Sequence, residues 1–68
     1  MKITFLYGGY GTHEKREEIK WPDGAPLPRA GELVNIELRG KEVIDGTVTR
    51  VSHCLRFVGN LEIWIKVE

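Results

Sequence analysis

KEVIDGTVTRVSHCLRF, residues 41–57, is the stretch on which the fold turns. Its apolar residues alternate, as in a strand with one buried face, but the alternation changes phase midway. Ile44, Gly46 and Val48 keep one parity, whereas Val51, His53, Leu55 and Phe57 keep the other. One extra residue near Thr49-Arg50 reconciles the two rows, which is the mark of a β-bulge or sharp bend. Gly46 offers a second bend point, because it packs nothing and lets another strand come close. A long strand bent this way allows a small sheet to curl and bury its apolar face against itself.

The flanking sequence supplies the other strands. In residues 32–38, Val34, Ile36 and Leu38 face one way and Leu33, Asn35 and Glu37 the other. A tight turn at Arg39-Gly40 or Gly40-Lys41 leads into the long strand, expected to begin at Lys41. Gly59-Asn60 closes the last turn. Residues 61–67 then alternate cleanly, with Leu61, Ile63, Ile65 and Val67 inward and Glu62, Trp64 and Lys66 outward. Residues 2–7 read as a first strand with Ile3, Phe5 and Tyr7 on one face, ending at Gly8-Gly9.

Residues 12–20 admit two readings. Thr12 would cap a short helix from His13 to Lys20, or an edge strand would put Glu17, Ile19 and Trp21 on one side. Ile19 is the only apolar residue in that segment, so a helix would have almost no face to bury. The strand is favoured, or an arm that orders on a partner. Next comes an ordered, turn-rich connection. Trp21-Pro22-Asp23-Gly24 suits a β-turn with proline second and glycine fourth, and Pro26 and Pro28 keep the chain extended. The expectation is one all-β domain over residues 1–68, with a long loop or arm at 8–31. Its architecture is a strongly bent antiparallel sheet, or a partly open barrel, of four or five strands.

A long irregular loop after the first strand, followed by three meandering strands with tight turns, resembles the SH3-like barrel. A narrower likeness runs through residues 27–53. Leu27-Pro28-Arg29-Ala30-Gly31-Glu32-Leu33-Val34, then Gly46, Val48, Val51 and His53, is similar to small uncharacterised β proteins of bacteria and their phages. The likeness implies a fold and carries no activity with it.

Ten basic residues balance ten acidic ones. A neutral chain has no long-range field to draw in nucleic acid or an anionic membrane. No stretch approaches the roughly 20 apolar residues of a membrane span, and the short apolar start is expected not to act as a signal peptide. The single cysteine, Cys54, excludes an intrachain disulfide and points to a reducing compartment. The expected location is the cytoplasm, of a bacterial or a host cell. A chain of 68 residues supports one small core, and such cores rarely supply more than roughly 3–5 kcal/mol. Self-association is an inexpensive further support.

No catalytic or cofactor signature stands out. Gly8-Gly9-Tyr10-Gly11 follows a strand but lacks the spacing of a phosphate loop and the helix that would complete one. His13, His53, Cys54, Asp23 and Asp45 are the metal candidates. His53 and Cys54 are adjacent, so in a strand they face opposite ways and do not share an ion. The same geometry keeps His53 from activating Cys54 as a nucleophile. A barrel this small encloses little volume. The chain is therefore expected to be no enzyme, to need no cofactor or metal, and to take no small-molecule substrate.

The aromatic and basic residues are the partner-binding candidates. Trp64 falls on the face opposite Leu61, Ile63 and Ile65, so it lies outside the core if those three build it. It is either a ring presented to a protein partner or one covered by Trp21, Pro26 and Leu27 of the 21–31 loop. Trp21 carries the same two readings. Tyr10 or Trp64, with Arg39, Lys41, Arg50 and Arg56, would also suit a surface for single-stranded nucleic acid. Glu37, Glu42 and Glu62 interleave with those cations and weaken that reading. The sequence thus favours a protein-binding or adaptor module, acting on a partner or on a second copy, with nucleic-acid binding as the alternative.

Overall fold

Each strand forms where alternation gives it an apolar face and ends where glycine or proline intervenes. The computed structural model describes residues 1–9 and 14–68. Five strands run β1 (Lys2–Tyr7), β2 (Lys15–Lys20), β3 (Leu33–Glu37), β4 (Val43–Leu55) and β5 (Leu61–Val67), with a short 3-10 turn at Arg39–Lys41. They make one sheet in the order β2-β1-β5-β4-β3, curled through 245° as a half-barrel. The sheet is mixed rather than wholly antiparallel, because β1 and β5 lie parallel, Ile3 beside Ile63 and Phe5 beside Ile65. The 21–32 connection makes this possible: it carries the chain from one edge strand, β2, to the other, β3. Among the described residues no helix is long and apolar enough to cross a membrane.

Segment 15–20 is a strand, not a helix. Pairing to β1 sets Ile19 opposite Ile3 and Glu17 opposite Phe5. Its remaining residues are charged, and charge on an edge strand discourages further pairing. The proline-bearing turn sits one residue later than the sequence suggested. The Ala25 N–H donates to Pro22 O at 3.3 Å, which puts Gly24, at φ +81°, in the third position, where a positive φ is required.

The core lies on the concave face. Ile3, Phe5, Tyr7, Ile44, Val48, Ile63, Ile65 and Val67 are buried, with Ile19, Trp21, Leu27, Val34, Ile36, Leu38 and Val51 packed against them. A fully buried side chain of this size contributes about 1.5–3 kcal/mol, so the eight supply most of what holds so small a domain. Trp21 joins them: its ring lies 6.0 Å from that of Phe5. The loop therefore covers the concave core and not the outer face, and Trp64 is not beneath it. The loop's rigid prolines bring Leu27 to the apolar side, where burial rewards it.

The phase change in β4 is a bulge between Val48 and Arg50. Before it, Val43–Thr47 pair with β3. After it, Arg50–Leu55 pair with β5. Gly46 stands at the bend with φ +151°, and a Cβ there would come within 2.5 Å of Glu68 O. Only glycine admits the end of β5 so close.

Candidate protein-binding edge

Alternation put Leu55, Phe57 and Leu61 in the core, and the structure puts them outside it. Leu55 is 74% exposed, Phe57 106%, Val58 77% and Leu61 53%. His53 is exposed too, and Val51 is the last residue of the row that packs on the core. The reason is length. The β4–β5 hairpin runs past the half-barrel, and at its far end no opposing element among the described residues buries its inner row.

The backbone of this overhang can be followed from the hydrogen bonds on either side of the bulge. Leu38 N–H donates to Glu42 O, and Val48 N–H donates to Glu32 O while Gly31 N–H donates to Val48 O. Antiparallel pairs alternate between bonded and non-bonded. Ile44, Gly46 and Val48 thus direct their N–H and C=O groups toward β3. At the hairpin end Arg56 N–H donates to Asn60 O. The same alternation points Cys54 and Ser52 toward β5, and Val51, His53 and Leu55 away from it. The bulge therefore preserves both the inward side chains and the direction of the outward amides. But β3 begins at Leu33, opposite Thr47, so the amides of Val51, His53 and Leu55 face a position where the described residues place no strand.

A groove adjoins this edge. Pro26, Leu27 and Pro28 form one wall, and Val51 and His53 line the other side of a space of about 510 Å³. The prolines have no N–H to offer the open edge. Arg29 and Glu32 fix the far end of the loop, with Arg29 N–H donating to the Glu32 carboxylate at 2.6 Å. The result is an unpaired strand edge with apolar side chains beside it and a rigid wall facing it, a geometry that accepts an added strand.

The outer face holds a different cluster. Trp64 is half-buried beneath the Arg16 guanidinium, 4.7 Å from the ring centroid, and Leu6, Arg50, Ser52 and Cys54 border a groove of about 390 Å³ beside it. Strand pairing explains the gathering, since Trp64 lies opposite Thr4 on β1 and Ser52 on β4. Acids bind several cations here. Lys66 Nζ is 3.0 Å from Glu14, and Arg56 is ion-paired with Glu62, which raises the Arg56 pKa. Arg50 reaches the Trp64 groove, Arg56 is held at the hairpin end, and Arg39 sits in the 3-10 turn at the opposite end of β4. The three arginines do not converge. Tyr10 and His13 lie outside the described residues. His53 and Cys54 line opposite faces, the inner groove and the outer one.

Sequence reasoning expected open sheet edges able to take a strand from a peptide or a second copy but did not place one on β4, although a signal was present: an alternating segment of seven residues, 32–38, cannot flank a strand running from 41 to 57 along its whole length. It also missed Arg16, which reaches Trp64 only because β2 pairs with β1. No family model, curated protein or solved structure matches the chain.

Proposed function

We propose that this protein is a non-catalytic protein-binding or adaptor module that takes up a strand along the second half of β4. The observation that carries this reading is the outward-directed backbone of Val51, His53 and Leu55, beside the exposed Leu55, Phe57 and Val58. Main-chain bonds give such a site affinity, and its side-chain groove gives selectivity. The likenesses to SH3-like barrels and to small bacterial and phage β proteins agree with this role, in which the module is a small part of a larger assembly in the cytoplasm.

The test is capture from lysate of the source cell on immobilised protein. Leu55→Lys should reduce the captured partner at least tenfold. So should His53→Pro, which deletes an outward N–H but no bond to β5. Trp64→Ala should leave capture unchanged. Equal capture by all of these proteins would refute the edge as the binding site.

The outer face supports a second reading, single-strand nucleic-acid binding, on one observation: Arg16, Arg50 and the Trp64 ring share a groove. It requires salt-sensitive binding to a short oligonucleotide that Trp64→Ala weakens.

A further inference from the structure

Resting on the strand-addition reading, we infer that the occupant of the open β4 edge is the same segment of a second copy, antiparallel and centred on His53. Three observations select it. The first is register. Of the registers that keep inner faces together, the one that sets His53 against its counterpart, and Val51 against the partner copy's Leu55, gives every outward N–H and C=O of these residues a mate. A shift of two residues in either direction leaves one outward residue of each copy facing a turn or the bulge.

The second is side-chain chemistry. On the inner face the register makes an apolar pair of Val51 with Leu55, repeated by the two-fold axis, and on the outer face it sets the small Ser52 against Cys54. Cross-strand apolar pairs are the unit of sheet stabilisation. An isologous interface needs this self-complementarity.

The third is shape and charge. The same register carries the turn that holds the fully exposed Phe57 of one copy to the bulge of the other, beside the end of its 21–32 connection, where Gly31 N–H donates to Val48 O. Arg56 would fall opposite Arg50, but it is already neutralised by Glu62, and a chain of zero net charge does not repel its own copy at long range. A core with eight buried residues among the described ones gains most from such an extension, which doubles the sheet without adding a new fold.

The experiment is light scattering of the full chain across concentration, joined to cysteine cross-linking in a Cys54→Ser background. A mass twice the 7.8 kDa of one chain is expected at high concentration. His53→Cys should form a disulfide dimer on mild oxidation, because a bonded antiparallel pair has Cα atoms about 5.5 Å apart, within disulfide reach. Val51→Cys should not, since four residues of strand, about 13 Å, separate it from its counterpart. A monomer at every concentration with no His53→Cys cross-link would overturn the inference. So would a dimer that Val51→Cys cross-links and His53→Cys does not. Either failure leaves the capture experiment standing, because loss of a captured partner on Leu55→Lys reads the edge without reference to a second copy.

Discussion

The two halves of β4 present the same row of residues to the same side of the sheet, yet they live in different environments. Val43–Val48 runs between β3 and the concave core, so Ile44 and Val48 are buried and the amides on that side are paired. Arg50–Leu55 continues the row past the end of β3, where Val51 is half-buried, Leu55 is bare and the outward amides have no described strand beside them. Alternation sets which way a side chain points. Burial depends on whether another element reaches that far.

The sharpest way to break the contrast is to truncate the row at each end. Ile44→Ala should cost about 2–5 kcal/mol by denaturant titration, enough to unfold much of a domain this small. Leu55→Ala should stay within about 0.5 kcal/mol. Comparable losses at the two sites would mean that the hairpin end is packed. At the bend, Gly46→Ala should cost about 2–3 kcal/mol, since it adds both a positive-φ penalty and a collision with Glu68 O. A thermal midpoint unchanged by that substitution would contradict the close approach of β5.

Much of this was legible beforehand. The bulge at Thr49-Arg50, the close approach at Gly46 and the burial of Ile63, Ile65 and Val67 all follow from local parity, a property of neighbouring residues. The exposure of Leu55, Phe57 and Leu61 does not, because it depends on how far a distant strand extends. Nor does the covering of Trp64, which Arg16 provides from two strands away while the 21–31 loop turns to the opposite face.

A smaller effect tests that outer cluster. Trp64→Ala should lower stability by about 1–2 kcal/mol, the share of a half-buried ring and its guanidinium partner, and Arg16→Ala should reproduce only a fraction of it. No change in either variant would mean that the ring is not held by the fold.

The smallest effect is alkaline. Burial, then the carboxylates of Glu42 and Glu17, raise the Tyr7 pKa above its ordinary 10.0, against an opposing pull from Lys15. The unfolded phenol ionises first as pH rises, so this contribution is complete below pH 10 and is lost above it. Tyr7→Phe should flatten the decline of stability as the pH rises above the ordinary phenol value of 10.0. A slope as steep as that of the unaltered protein would show that Tyr7 does not supply it.

Amide hydrogen exchange followed residue by residue in dilute solution addresses the open edge most directly. Ser52 and Cys54, bonded to β5, should be protected, while Val51, His53 and Leu55 between them exchange at rates near those of an unstructured chain. Uniform protection from Val51 to Leu55 in a dilute monomer would mean that a strand or loop already closes that edge.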